Sequence, residues 1–268
     1  MIGNKKSLGQ HFLNSPQIIA DIVNAGKVEK SDLVLEVGPG EGVLTRALLS
    51  TGAHVISVEK DDGLIPELQK RFAREIAIKQ LDLVHADILD LELPHIASKP
   101  YKIVANIPYY ITGQIIRMFL ESDRQPESMT LLVQKEVAER VVAKDGKESL
   151  LSLSVKAFGT PKIVRLVEKE AFSPQPKVDS AVLNIENISK KNFPKVGPWG
   201  RGVDEKLFFG VLHAGFAHKR KMLLPNLSSL YKKDNLLKAF ERCGLDPKCR
   251  AEELSFETWI KLCNILYL

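Results

Sequence analysis

The sequence contains few cysteines, and their spacing excludes several classes of protein. The three cysteines, Cys243, Cys249 and Cys263, all lie near the C-terminus of the 268-residue chain. They match no C-x-x-C zinc or redox pattern, and an odd number argues against a disulfide framework. We therefore expect structural thiols in the core, with no metal site.

Long apolar runs are also absent. No stretch approaches the roughly 20 apolar residues that cross a membrane, and the polar N-terminal residues lack the apolar segment of a signal peptide. We therefore expect a cytoplasmic protein. The composition is that of an ordinary globular protein, 44% hydrophobic and 26% charged, and the net charge of +5 permits a polyanionic partner without establishing one.

The first half of the chain alternates strand and helix patterns. Apolar runs typical of short buried strands begin at Leu33, His54, Leu83, Tyr101 and Met129. Helical periodicity separates most of them, over residues 44–49, 64–76 and 111–120, and follows the last over 135–143. Strands separated by single helices predict a parallel sheet whose ligands bind at the carboxyl ends of the strands.

The next region differs, because two strand patterns follow each other with no helix between them. They run over Lys162–Val167 and Val178–Glu186 and predict an antiparallel pair at one edge of the sheet. The fold class is therefore α/β, with a mostly parallel sheet and an antiparallel edge hairpin.

A composition rich in Lys, Asn, Pro and Gly then predicts a linker, and helical patterns follow to the end of the chain. Ser255 is the expected N-cap of the last helix. The predicted organisation is a catalytic domain, a linker and a small all-helical domain, over residues 1–187, 188–204 and 205–268.

The candidate cofactor site begins at the turn after the first strand, where Glu36 starts an E-x-G-x-G-x-G motif. Its glycines, Gly38 and Gly40 among them, let the backbone adopt positive φ and approach a ligand. A dinucleotide-binding loop would need glycine at position 43, where this chain has Val43. The motif resembles the first motif of class I methyltransferases, although a plain tight turn is an alternative.

Carboxylates end the next two predicted strands. Glu59 can accept both hydroxyls of a ribose, and Asp87 can accept from an adenine amino group. The alternatives are a solvated glutamate beside Lys60 and an aspartate that caps a turn. Suitable groups at three successive strand ends are a more specific signal than any one of them.

The candidate catalytic element, Asn106-Ile107-Pro108-Tyr109, follows the fourth predicted strand. It resembles the [N/D/S]-[P/I/L]-P-[Y/F] motif of enzymes that methylate exocyclic amines of bases. An aryl amine is a poor nucleophile, because its lone pair is delocalised into the ring. Two acceptors, the Asn106 side-chain oxygen and (as the resemblance implies) the Ile107 carbonyl, favour a pyramidal nitrogen with a localised lone pair. Pro108 stiffens the turn, and Tyr109 offers a face to the target base.

Further stretches resemble one family over essentially the whole chain. They are Gln10–Asn14, Gln134–Arg140, Phe172–Ser180, a near copy of an F-x-P-x-P-K-V-x-S loop, and the basic Phe216–Leu223. By these motifs the chain is identified as a member of the ribosomal RNA adenine dimethyltransferase family, in its housekeeping small-subunit branch.

The resemblance implies a class I, Rossmann-like fold that binds S-adenosyl-L-methionine, with His11 and Leu13 near the cofactor and Asn106 near its methionine moiety. It also implies that Phe172 stacks on the target base opposite Tyr109. The implied substrate is a pair of adjacent adenosines near the 3′ end of small-subunit ribosomal RNA, methylated at N6 by a monomer acting on a pre-ribosomal particle. One departure is Leu150-Leu151, where the family usually has Tyr-Gly; we expect a packing change in a core helix.

The RNA-facing part is predicted from a basic cluster, Lys219, Arg220 and Lys221, to which Arg201 and Lys232-Lys233 add charge. Lysine and arginine neutralise phosphates with little sequence information, although a solvated helix face is an alternative. Unpaired loop nucleotides would then reach the pocket.

Three other functions remain as alternatives. One is the antibiotic-resistance branch, which methylates large-subunit ribosomal RNA and shares the pocket. Another is a non-catalytic RNA-binding assembly factor on the same scaffold, against which the intact Glu59, Asp87 and Asn106 argue. The third is an NAD-linked oxidoreductase, which Val43 and the Asn-Ile-Pro-Tyr element disfavour.

Overall fold

The computed structural model describes residues 11–13, 15–91, 99–193, 204–218 and 220–267. They form two compact units, Met1–Ala138 with Thr160–Ile188 and Glu139–Gly159 with Ser189–Leu268. The second unit therefore includes a segment that the sequence placed in the first domain, and the predicted domain limits stay a prediction. Most of the predicted linker, residues 194–203, lies outside the described residues.

The first unit is built on a seven-stranded sheet. Its strands are β2 (Leu33–Val37), β3 (His54–Glu59), β4 (Leu81–His85), β5 (Lys102–Asn106), β6 (Ser128–Gln134), β7 (Thr160–Val167) and β9 (Ser180–Glu186). They lie in the order β4-β3-β2-β5-β6-β9-β7. β2 to β6 are parallel, whereas β9 is antiparallel to both of its neighbours, β6 and β7. This confirms the predicted parallel sheet and its antiparallel edge pair.

Helices lie before, between and after the parallel strands: α1 (Pro16–Ala25) precedes β2, α2 (Val43–Ser50), α3 (Ile65–Arg71), α4 (Ala73–Ala77) and α5 (Thr112–Glu121) lie between parallel strands, and α6 (Lys135–Val142) follows β6. The predicted helix over 64–76 is divided in two, because Phe72 leaves the helical conformation at φ −114° and ψ 25°. Its side chain is fully buried, so packing overrides the local periodicity there. α1 was not predicted, although Ser15 caps it and Pro16 stands at its first position.

A separate two-stranded sheet joins the N-terminal segment to the loop before β9. In it, β1 (Phe12–Leu13) pairs antiparallel with β8 (Phe172–Ser173). This pairing connects residues that are far apart in the chain, and it brings His11 against that loop.

The second unit is helical, as predicted, with α7 (Leu150–Phe158), α8 (Glu205–Gly215), α9 (Leu223–Leu227), α10 (Lys233–Cys243) and α11 (Phe256–Tyr267). Ser255 caps the last helix by accepting from the Thr258 N–H at 3.2 Å. Phe158 explains why residues 139–159 join this unit, since its ring stacks on Phe209 at 5.8 Å and its carbonyl accepts from the Ser189 N–H. The expectation of core thiols is correct for Cys263 alone, because Cys243 and Cys249 are half-buried.

Across the described ranges, no helix is both long enough and apolar enough to cross a membrane.

Candidate active site

A pocket opens at the carboxyl ends of the parallel strands, where the fold class leads one to expect a ligand. Nine residues that the sequence singled out line this pocket together: His11, Leu13, Gly38, Gly40, Glu59, Asp87, Asn106, Pro108 and Tyr109. Other residues that line the pocket include Glu36, Lys60 and Tyr110, none of which was predicted as a site residue. The strand ends thus bring the predicted cofactor and catalytic motifs into one cavity.

The glycine loop requires glycine for steric reasons. Gly38, Gly40 and Gly42 have φ values of +68°, +57° and +78°, which other residues rarely adopt. A Cβ atom on Gly40 would lie 2.9 Å from the Phe12 ring, and one on Gly42 would lie 2.5 Å from the Phe72 ring. Gly40 and Gly42 therefore pack too closely on their neighbours to carry side chains.

Glu59, at the end of β3, is 5% exposed and tied to the loops around it. Its carboxylate accepts from the Asp61 N–H at 2.8 Å and from the Gly40 N–H at 3.2 Å. Burial raises the pKa of this carboxyl, while both backbone donors lower it. Glu59 thus holds the glycine loop in place, and its predicted contact with a ribose stays a prediction.

Glu36 also lines the site, although the sequence predicted no role for it beyond its place at the start of the glycine motif. It is 1% exposed within β2, and its Oε2 accepts from Thr45 Oγ1 at 2.7 Å and Ser57 Oγ at 2.6 Å. Its Oε1 is buried, with no hydrogen-bond partner among the described residues. Burial raises the pKa of this carboxyl to about 7, against the opposing effect of the two hydroxyl donors. The signal that could have found it is an acidic residue in an otherwise apolar strand.

Asp87 follows β4 and has two partners. One oxygen accepts from the Leu89 N–H at 3.0 Å and caps a short 3₁₀ turn, as the alternative interpretation supposed. The other pairs with the Lys60 ammonium at 2.5 Å, which holds the pKa of Asp87 below its usual value. The carboxylate lines the pocket in its charged form, so the turn-capping role and the predicted acceptor role are compatible.

Asn106, the last residue of β5, directs its amide nitrogen towards the N-terminal segment. Nδ2 donates to the His11 carbonyl at 3.3 Å, whereas Oδ1 has no hydrogen-bond partner within the described ranges. The motif also packs against the glycine loop, since a Cβ atom on Gly38 would lie 3.9 Å from the Pro108 ring. The Asn106 side-chain oxygen is therefore available to accept a hydrogen bond from a ligand.

Tyr109 is held from two sides. Its ring stacks on His11, with centroids 5.8 Å apart and planes 22° apart, and its hydroxyl lies 2.6 Å from Ser180 Oγ. The His11 ring is itself positioned by the Pro174 carbonyl, 2.7 Å from Nδ1. One face of the Tyr109 ring thus stacks on His11. The predicted stacking on a base would use the opposite face of the ring.

Phe172, which the resemblance places against the target base, lies in the buried core of the first unit. It is 5% exposed and belongs to the same buried cluster as Leu13 and Ile18, and its ring is not part of the pocket wall. The cause is the β1–β8 pairing, in which Phe172 lies opposite Leu13. In this structure Phe172 is a core residue, and its stacking on a base stays a prediction.

The basic cluster lies between α8 and α9 in the helical unit. Arg220 and Lys221 are exposed there, and Lys219 lies outside the described residues. Asn226, 4% exposed, donates to the Gly215 carbonyl at 2.6 Å and the His218 carbonyl at 3.3 Å. The segment that carries the cluster is therefore anchored by a buried amide.

Comparison with known proteins shows the same family along the whole chain. The family model described as ribosomal RNA adenine dimethylase matches residues 1–267. A protein of Dehalococcoides mccartyi named ribosomal RNA small subunit methyltransferase A is 43% identical over 97% of this chain and 87% of its own length. A Clostridium botulinum protein of the same name is 38% identical over 98% of this chain and 94% of its own length.

Two solved structures share the fold over nearly the full chain. The 23S rRNA methyltransferase ErmE is 26% identical, with a TM-score of 0.77 over 96% of this chain and 100% of its own. A dimethyladenosine transferase from Plasmodium falciparum is 27% identical, with a TM-score of 0.79 over 94% of this chain and 96% of its own.

Proposed function

Because the chain belongs to the ribosomal RNA adenine dimethylase family, we propose that it methylates N6 of two adjacent adenosines near the 3′ end of small-subunit ribosomal RNA. It is an S-adenosylmethionine-dependent methyltransferase, as its family is. The observation that supports the proposed chemistry most directly is Asn106, whose side-chain oxygen has no partner among the described residues in a pocket shared with the glycine loop.

The residues of the pocket fit S-adenosylmethionine by their chemistry. Glu36, Glu59 and Asp87 offer acceptor oxygens, and the cofactor presents ribose hydroxyls, amino groups and a positive charge. Ile88 and Leu89 give the wall beside Asp87 an apolar surface that suits a purine ring. When bound, the cofactor supplies an electrophilic methyl group on a sulfonium.

The contribution of the protein is positioning and charge stabilisation. Asn106 Oδ1 accepts one hydrogen of the adenine amine, and the Ile107 carbonyl accepts the other. These hydrogen bonds strengthen as nitrogen becomes pyramidal, so they stabilise the transition state more than the ground state. The proton becomes acidic only after the nitrogen has gained its methyl group, so no side chain must remove it beforehand.

The small subunit is favoured over the large one by the relatives. Proteins named for the small subunit are 38% and 43% identical to this chain, whereas the structure named for 23S rRNA is 26% identical. We propose that the protein acts in the cytoplasm, as a monomer, on a pre-ribosomal particle. Arg220 and Lys221 would bind RNA phosphates there.

The decisive experiment is methyl mapping of ribosomal RNA from cells with and without this protein. Loss of two neighbouring N6-dimethyladenosines from small-subunit RNA alone is the expected result, and purified protein should restore them. Loss of a methyl group from large-subunit RNA would instead favour the antibiotic-resistance branch. Cofactor binding with no loss of methylation would favour a non-catalytic assembly factor.

The phosphate-binding role of the basic cluster has a separate test. Arg220→Ala with Lys221→Ala should lower RNA affinity and reduce the slope of log affinity against log salt by about one for each phosphate that is no longer neutralised. Cofactor affinity, measured by calorimetry on the same variant, is the control and should not change. An unaltered salt slope would show that these side chains touch no phosphate.

A further inference from the structure

We infer that Tyr110 stacks on the unpaired base adjacent to the target adenosine, and so positions the RNA strand at the mouth of the pocket. The inference rests on the proposed function, since it concerns the RNA that the same site would bind. It assigns a role in RNA binding to a residue beside the predicted Asn-Ile-Pro-Tyr motif.

Tyr110 differs from its neighbour Tyr109 in what it contacts. Tyr110 is 64% exposed although it lines the pocket, whereas Tyr109 is stacked on His11 and lies within hydrogen-bond distance of Ser180. Single exposed aromatic residues are common on protein surfaces. An aromatic ring at the mouth of a pocket that takes a flipped base has a specific use, however, because successive unpaired bases stack on such rings.

The backbone around Tyr110 is anchored on both sides, so its position is fixed before RNA binds. Tyr109–Ile111 form a 3₁₀ turn in which the Ile111 N–H donates to the Pro108 carbonyl at 3.2 Å. Thr112 Oγ1 donates to the Tyr109 carbonyl at 3.1 Å, and the Ile111 side chain is 9% exposed. Little backbone entropy is therefore lost when a base stacks on the ring.

A cation lines the same pocket as this ring. Lys60 lines the same pocket, and its side chain is 57% exposed while paired with Asp87. The hydrogen bond and ion pair with Asp87 raise the pKa of Lys60, so the ammonium stays charged. An aromatic ring and an ammonium that line one pocket suit a nucleotide, whose base would stack on the ring while its phosphate approaches the charge. The partner is thus a nucleotide of the substrate strand, with little preference for the base.

The test is a cycle of two protein forms and two kinds of RNA. The RNAs are hairpins whose loop carries one target adenosine with either a normal neighbour or an abasic neighbour, made separately for the 5′ and 3′ sides. For wild type, removing the base on one side should weaken binding and raise KM by about 5- to 150-fold, the cost of one stacking interaction. Tyr110→Ala should show the same loss on intact RNA and no further loss on the abasic RNA, with kcat nearly unchanged.

Two variants serve as controls. Tyr110→Phe keeps the ring and should behave as wild type, which separates stacking from any effect of the hydroxyl. Tyr267→Ala removes a tyrosine of similar exposure, 59%, from the helical unit and should change neither KM nor affinity. Cofactor affinity should be the same in all forms.

Each other outcome overturns the inference. Equal losses for Tyr110→Ala on intact and abasic RNA would mean that Tyr110 contacts the target base itself or supports the fold. No loss on either RNA would mean that its ring stays in solvent. The proposed function is tested separately, by the methyl mapping in cells. If wild type methylates none of these isolated hairpins, the binding constants of the same cycle still decide whether Tyr110 stacks on a base.

Discussion

The two ends of the pocket are assembled in different ways. The cofactor end consists of strand ends in one parallel sheet, where Glu36 and Glu59 make hydrogen bonds to residues of adjacent strands and turns. The base end depends on distant segments, since Asn106 reaches a residue 95 positions away and Tyr109 one 71 positions away. The cofactor end therefore forms with the parallel sheet. The base end forms only when the β1–β8 pairing and β9 are also in place.

This difference teaches that binding and catalysis can be separated by mutation. A change of a side chain at the base end should spare most of the cofactor affinity, because it leaves the glycine loop and Glu59 in the site. A change at the cofactor end should disturb the loop as well as the ligand. Four predictions test this comparison.

Asn106→Ala should have the largest effect. It removes the amide oxygen that would hold the adenine amine, and this hydrogen bond strengthens mainly in the transition state. The methyl-transfer rate should fall by about 100-fold or more. Single-turnover rates at saturating RNA and cofactor measure this, with cofactor affinity as the control for folding. A variant that methylates at the wild-type rate would mean that the motif is wrongly assigned.

Glu36→Gln tests whether the cofactor end carries a pH-dependent component of stability. Burial raises the pKa of Glu36 from 4.5 to about 7. Between these values the folded protein retains a proton that the unfolded chain releases, so stability falls as the pH rises from 4.5 to 7. The decrease is on the order of 3 kcal/mol. Glutamine keeps an acceptor for Thr45 and Ser57, so this pH dependence should disappear from urea unfolding curves at pH 5 and pH 8. If both proteins lose the same stability across that interval, Glu36 is not the group responsible.

Glu59→Ala should weaken cofactor binding by roughly 1–3 kcal/mol, the cost of losing hydrogen bonds to a charged acceptor. The same change removes the acceptor that holds the Gly40 N–H. Glu59→Gln, which keeps an acceptor oxygen, is the matched variant and should lose less. Calorimetry gives both affinities. Unchanged affinity in folded Glu59→Ala would remove this carboxylate from the site.

Ser180→Ala should have the smallest effect. It removes the partner of the Tyr109 hydroxyl, a hydrogen bond worth roughly 0.5–1.5 kcal/mol. KM for RNA should rise a few-fold, while cofactor affinity stays constant. Tyr109→Phe breaks the same hydrogen bond from the other side, so the double variant should be no worse than either single one. Additive losses would show that the two hydroxyls act independently.

Much of the fold could be predicted, because the relevant signals are local. Apolar runs and helical periodicity predicted the parallel strands and the antiparallel edge pair. The glycine spacing predicted the turn in which Gly38, Gly40 and Gly42 have positive φ. The sequence predicted that three residues lie at one site, Glu59, Asp87 and Asn106, because each ends or follows a strand. Strands in a parallel sheet share one carboxyl edge, and all three residues line the pocket there.

What could not be predicted depends on contacts between distant residues. Phe172 begins a recognisable loop motif, yet the pairing of its strand with β1, opposite Leu13, buries its side chain. Residues 139–159 continue the first domain in the chain, yet Phe158 packs on Phe209. The Lys60–Asp87 pair joins residues 27 positions apart, with no pattern to link them.

The sequence by itself determined the class of this protein and the chemistry available to it. Residue type and spacing along a strand or turn are enough to specify a glycine loop, three acceptors and an Asn-Ile-Pro-Tyr turn. Only the tertiary structure decided which aromatic rings are buried and which are exposed at the pocket. Exposure is set by the packing of segments far apart in the chain, and that packing buries Phe172, holds Tyr109 and leaves Tyr110 at the mouth of the pocket.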